Sequence, residues 1–239
     1  GAVELGPAAH PVGTLLLLAS FIGMALAPMV AVRLVHRRPA RTLFGPAVTV
    51  LRDFVVAASI VAALLGALLF AWSFWFDAVP NLAPERWLTL LPLAVAGILV
   101  QTLAEELVFR AYLTQQLAAR FKSFLAWMVL PSLAFGLVHY SPQSAGENTW
   151  LVVVAAGVFG LIATDLTRLT GSIGAAWGFH FANNFAAILI VAVDGTIPGL
   201  ALFLTPYGAD DTTHLPALIL GDLALMLVAW LILRRALRR

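Results

Sequence analysis

Long apolar runs separated by short polar connections set the pattern of this chain. A helix that crosses the hydrocarbon core of a bilayer needs about 20 mostly apolar residues. Seven stretches fit, at about 12–32, 54–76, 88–113, 124–140, 150–167, 173–193 and 216–233. Nothing in Leu113–Ala119 breaks a helix, so the third stretch is free to continue to Arg120. The fourth is short and ends at Ser141-Pro142, where the polar segment Ser141–Asn148 suits a turn. The stretch from Asp194 to His214 is rich in turn-forming and acidic residues and reads as a long exposed loop. No internal repeat is present. The expected fold is an all-α, polytopic membrane bundle of about seven transmembrane helices, forming a single membrane domain over 1–239.

Charge tests this map. If seven spans alternate, Arg33, Arg37, Arg38, Arg41, Arg52, Arg120, Lys122, Arg168, Arg234, Arg235, Arg238 and Arg239 all fall on one side. The other side holds Glu4, Asp77, Glu85, Glu147, Asp194, Asp210 and Asp211, with Arg86 as its basic residue. Basic residues concentrate in cytoplasmic connections, so the N-terminus is expected outside and the C-terminus inside, as an integral protein of a bacterial inner membrane. Gly1–Pro11 lacks a basic n-region and does not read as a signal peptide.

Composition agrees with the spans. The chain is 62% hydrophobic and 11% charged, with a mean hydropathy of +0.96. Soluble domains average about 45–50% apolar and about 25% charged. The net charge of +2 is explained by topology and points to the lipid bilayer, not to nucleic acid. With no cysteine, the chain has no disulfide, thiolate metal site or cysteine nucleophile.

Against this background three polar patches stand out inside apolar stretches: Glu105-Glu106 with Arg110, His139 four residues after Phe135, and His180 with Asn184. Ionisable residues within a span cost roughly 2.5–3.5 kcal/mol each on insertion scales and usually face a protein interior or wet cavity. On a helix, residues four apart share a face, so Glu106 pairs with Arg110, while Glu105 points about 100° away and is free to face a cavity. His180 and Asn184 share one face of the sixth span. Taken singly, the patches also fit an interfacial ion pair, an interfacial histidine and interhelical hydrogen bonding. Gly171, Gly174 and Gly178 have the small-residue spacing of close helix packing. Drawn literally, Glu105 and His139 fall in different leaflets. They share a depth if the third helix runs to Arg120 and the fourth is short and tilted, which is the expected arrangement.

At these residues the chain resembles the CAAX-protease and bacteriocin-processing (Abi) family of intramembrane endopeptidases, marked in order by EExxxR, FxxxH and HxxxN. Here they stand as Glu105-Glu106-Leu107-Val108-Phe109-Arg110, Phe135-Gly136-Leu137-Val138-His139 and His180-Phe181-Ala182-Asn183-Asn184. The resemblance covers roughly residues 90–195, the expected catalytic core. It implies a glutamate-type protease in which Glu105 is the general base, His139 helps hold the attacking water, His180 and Asn184 stabilise the oxyanion, and Glu106 and Arg110 form a supporting ion pair. The implied partner is a protein or peptide substrate in or at the membrane.

Alternatives remain open on the residues alone. Glu105, His139 and His180 are chemically competent zinc ligands, but HExxH is absent and the resemblance favours a site without a cofactor. A non-catalytic subunit or scaffold of the same fold, acting in a membrane-protein partner complex, is the alternative function. A small transporter is disfavoured by the lack of repeat symmetry. Asp222 is a further carboxylate inside the last span, and Asp165 and Arg168, three apart, are expected to pair near the inner interface. Trp72, Trp75, Trp87, Trp127 and Trp150 lie near span ends, as aromatic belts do.

The charge sorting predicts that cysteines replacing Arg41 and Arg235 are labelled only from the cytoplasmic side, and one replacing Asp210 only from outside. Labelling of positions 41 and 210 from the same face would overturn the seven-span map.

Overall fold

The computed structural model describes residues 9–238, so Glu4, Arg239 and most of the Gly1–Pro11 reading lie outside the described residues. Seven main helices follow one another: α1 (Pro11–Leu34), α2 (Ala47–Trp72), α3 (Pro84–Arg120), α4 (Leu125–Leu137), α5 (Thr149–Thr170), α6 (Gly174–Phe185, continuing through a π-helical turn Ala186–Ile190) and α7 (Leu215–Ala236). Five are long and apolar enough to cross a membrane: α1, α2, α3, α5 with the turn before it, and α7. The other two, α4 and α6, are short. The chain is a polytopic helical membrane protein. Its outer faces carry exposed Leu16, Ile22, Leu26, Val55 and Leu231, side chains suited to lipid contact.

Helix α5 is the central one. Half of its span is buried, against 11–28% for the other four long helices. It packs on α4, α6 and α7, while α2 packs along α6 and α1 along α3. The α2–α6 contact is close because α6 carries glycine where α2 passes. A Cβ on Gly174 would lie 2.3 Å from the Val50 carbonyl oxygen, and one on Gly178 only 2.2 Å from that of Phe54. Gly136 serves α4 likewise, where a Cβ would meet the Val153 carbonyl oxygen at 2.6 Å. Gly171 is different from its two neighbours in the pattern. It ends α5 at φ +68°, a left-handed conformation suited to glycine, and a Cβ there meets nothing within 4 Å.

Loop contacts sort the helix ends onto two faces. On one, His36 meets Tyr112, Arg38 and the Thr42 carbonyl bond Gln115, the Ile173 N–H donates to Phe44, and Arg234 approaches Asp165, which also pairs with Arg168. On the other, Asn81 bonds the carbonyls of Pro198 and Ala201, and Asn148 those of Ala209 and Asp211. The first face is the arginine-rich one.

Three expectations need correction. The second helix begins at Ala47, directly after Gly45-Pro46, so Arg52 lies within it and Asp53 is fully buried, accepting from Ser172 Oγ at 3.4 Å. The sixth helix ends at Ile190, where Val191–Asp194, with valine at alternate positions, turns extended. The segment from Asp194 to His214 is not an open loop. Val79–Pro80 (β1), Val191–Asp194 (β2) and Phe203–Gly208 (β3) form a small sheet in the order β1-β3-β2. β1 runs antiparallel and β2 parallel to β3, and the intervening Pro198–Leu200 turn is buried. Pairing the strands satisfies backbone groups that a bare loop would leave to solvent.

The α2–α6 contact leaves no room for a methyl group at Gly178. Gly178→Ala is expected to lower stability by about 1–3 kcal/mol, the usual cost of overpacking, measured as a fall in unfolding midpoint in detergent. Gly171→Asn, at a site with open space, is expected to cost much less.

Candidate active site

Depth is settled by a helical hairpin. Glu105 lies 15 residues before Arg120, where α3 ends, and His139 lies 14 residues after Leu125, where α4 begins. At about 1.5 Å per residue both arms rise about 20 Å from the shared turn. His180 lies seven residues beyond Ile173 on the same face, about 10 Å along α6. The three motifs meet inside the bundle, where His180 contacts Glu105, Glu106 and the Phe135 ring.

Glu106 is the centre of the cluster. It is fully buried, and its Oε1 accepts a 2.8 Å hydrogen bond from His180 Nδ1 and stands 3.3 Å from Arg110 Nη1. Arg110 sits on a π-helical segment, Leu107–Leu113, in which backbone bonds run from i to i+5. Thr114 Oγ1 takes up the Phe109 carbonyl where this segment returns to α-helix. The guanidinium lies 4.1 Å over the Phe135 ring and 5.1 Å from that of Phe159. These π faces shelter a cation that is 1% exposed.

Glu105 does point away from Glu106's arginine. Its Oε1 accepts a 2.7 Å bond from Gln101 Nε2, and its Oε2 lies 3.5 Å from His180 Nε2 with no hydrogen-bond partner. Gln101 Oε1 in turn accepts from Asn184 Nδ2 at 2.9 Å. His180 thus stands between the two carboxylates, and Gln101 links Glu105 to Asn184. Gln101 carried no motif, yet it precedes Glu105 by four on one helical face inside an apolar stretch, a spacing that signals contact.

His139 is exposed at the end of α4, and its Nδ1 donates to the Phe135 carbonyl at 2.8 Å. That bond leaves Nε2 as the free ring nitrogen with a lone pair. The FxxxH spacing is thus a single turn in which the phenylalanine backbone orients the imidazole, while its ring also flanks His180 at 6.0 Å between centroids.

His139, His180 and Asn184 line one cavity of about 230 Å³, with Phe135, Phe159 and Asp222 among its other walls. A water needs only about 10–15 Å³ of such space. Glu105 stands behind this wall, joined to it through His180 and Gln101, with 11% of its side chain still exposed. Among the described residues no three His, Asp or Glu side chains gather closely enough to hold a metal ion.

Residues 86–186 match the family model for the type II CAAX prenyl endopeptidase Rce1-like proteins. The chain is also similar to the uncharacterized protein YyaK of Bacillus subtilis (strain 168), 31% identical over 120 residues, or 48% of this chain and 40% of that protein. The chain thus spans well under half the length of this curated relative. No solved structure matches. The matched segment contains EExxxR, FxxxH and HxxxN whole, on the helices that bring them together. Residues 86–186 are thus similar to the Rce1-like, type II CAAX prenyl endopeptidase family.

Proposed function

We propose that this protein is an intramembrane endopeptidase of the glutamate type, hydrolysing a peptide bond of a membrane-associated protein or peptide. One observation carries the reading: Glu105 Oε2 is buried, without a hydrogen-bond partner, beside a cavity with room for water and lined by His139, His180 and Asn184. Amide hydrolysis needs a base next to water and donors aimed at the developing negative charge.

In the proposed reaction a water takes its place between Glu105 Oε2 and His139 Nε2. Gln101 occupies the other Glu105 oxygen and fixes which one accepts the proton. As the water oxygen bonds to the carbonyl carbon, the water proton moves to Glu105 and the carbonyl oxygen becomes an oxyanion. His180 donates to it from Nε2 in its doubly protonated form, the form in which Nδ1 also donates to Glu106. Asn184 has a second N–H beyond the one held by Gln101. Collapse of the intermediate breaks the C–N bond, and Glu105 returns its proton to the leaving amine. Glu106 and Arg110 act through His180, holding its ring by the Nδ1 bond. No step requires a metal or cofactor. The arginine-rich face is assigned to the cytoplasm and the sheet-bearing face to the outside.

Glu105→Gln retains the shape and removes the base. It is expected to abolish cleavage of a quenched fluorogenic peptide library by the protein in vesicles while leaving helix content and unfolding midpoint unchanged. Asn184→Ala is expected to slow turnover by roughly 10²–10³-fold. Full biological rescue in cells by Glu105→Gln would instead mean a non-catalytic scaffold.

Arg110→Ala leaves Glu106 in low dielectric without its cation. It is expected to destabilise the protein by about 3–5 kcal/mol, read as a lowered midpoint together with lost cleavage. An unchanged midpoint would show that the pair does not support the site.

A further inference from the structure

One carboxylate in the cavity takes no part in this mechanism. Asp222 lies on α7, outside all three motifs, seven residues from Leu215 and so about 10 Å from the sheet-side end of that helix. It lines the cavity with His139, His180 and Asn184, and Met226, one turn along the same helix face, lines it too. No hydrogen bond or ion pair engages the Asp222 side chain among the described residues. Asn183, also on the cavity wall, likewise has no side-chain hydrogen bond there. The remaining walls are apolar: Phe135, Val152, Ala155, Ala156 and Phe159.

The other carboxylates of the site already have roles. Glu106 has Arg110 and His180, and Glu105 accepts from Gln101 through Oε1 and turns Oε2 to the water of the proposed reaction. Arg110 is sealed under aromatic rings and does not line the cavity. A carboxylate in an apolar cavity is costly unless a cation pairs with it, and among the described residues no lysine or arginine lines this cavity.

We propose that Asp222 and Asn183 form a subsite for a cationic side chain, the ammonium of a lysine or guanidinium of an arginine, next to the bond being cleaved. Both side chains offer oxygen acceptors to a bound N–H donor. A long cationic side chain lays its methylene stem against apolar surface and keeps its charge at the end, which matches apolar walls with acceptors on one side. Because the same cavity holds His139, His180 and Asn184, the residue bound there neighbours the scissile bond. Assignment of the cation to a substrate rests on the protease reading; the cation site itself does not.

The test has two arms on the full chain in nanodiscs. In the first, n-butylguanidinium and n-butylammonium are titrated against the neutral n-pentanol, with binding followed by thermal shift, in wild type, Glu105→Gln, Asp222→Asn and Asp222→Glu. The cations are expected to stabilise wild type and Glu105→Gln equally, to bind at least tenfold more weakly to Asp222→Asn, and to recover in Asp222→Glu. Binding of n-pentanol should be the same in all four. Equal cation binding by wild type and Asp222→Asn would overturn the site, as would cations binding no better than n-pentanol.

In the second arm, cleavage of a quenched peptide library by wild type is expected to favour lysine or arginine over glutamine at one position beside the scissile bond. Asp222→Asn should lose that preference while still cleaving neutral peptides. A preference that survives the substitution would overturn the subsite. Cation binding through Asp222 without hydrolysis of any peptide by wild type would leave the site standing and remove the protease reading alone.

Discussion

The buried carboxylate of Glu106 is the constraint on which the rest of this architecture depends. A fully desolvated anion is tolerated only where charge and hydrogen bonds compensate it. Arg110 supplies the charge from the same helix, and His180 supplies the hydrogen bond from α6. Arg110 must then be compensated in turn, and it lies against Phe135 of α4 and Phe159 of α5. One ionised group thereby obliges four helices to meet at a single point. The glycines at which α2 approaches α6 and α4 approaches α5 let the backbones come close enough for that meeting.

The hairpin of α3 and α4 solves a second problem. The proposed reaction needs a base and a water-holding histidine at one depth. A pair of full-length antiparallel helices puts residues near their C-terminal ends in opposite leaflets. Here α3 runs long and α4 is short, so arms of similar length rise from one turn. Polar residues on them are drawn to each other because lipid offers neither hydrogen bonds nor counter-charges. The hydrogen bond from His139 to Phe135 completes the arrangement by orienting the last residue of the arm.

Much of the fold was legible in the residues. Seven helices, the pairing of Glu106 with Arg110, the continuation of α3 to Arg120 and the shortness of α4 all follow from helical period and apolar length, which are local properties. Legibility failed where structure depends on partners distant in sequence. The sheet joins residues near 80, 192 and 204, and no local pattern pairs Val79 with Leu204. Arg52 was read as flanking the first connection, but α2 begins early enough to contain it and to bury Asp53 beside Ser172.

The same division applies to the site. The chain itself determined which side chains are present and which share a helix face: Glu105 turned from Glu106, Gln101 one turn before Glu105, His180 one turn before Asn184. Only the tertiary structure decided that His180 bridges both carboxylates, that Gln101 connects Glu105 to Asn184, and that Asp222 of α7 shares their cavity. The reason is physical. Helical periodicity fixes directions within one helix, whereas contacts between helices depend on their depth, rotation and closeness of approach, and these are set by packing across the whole bundle.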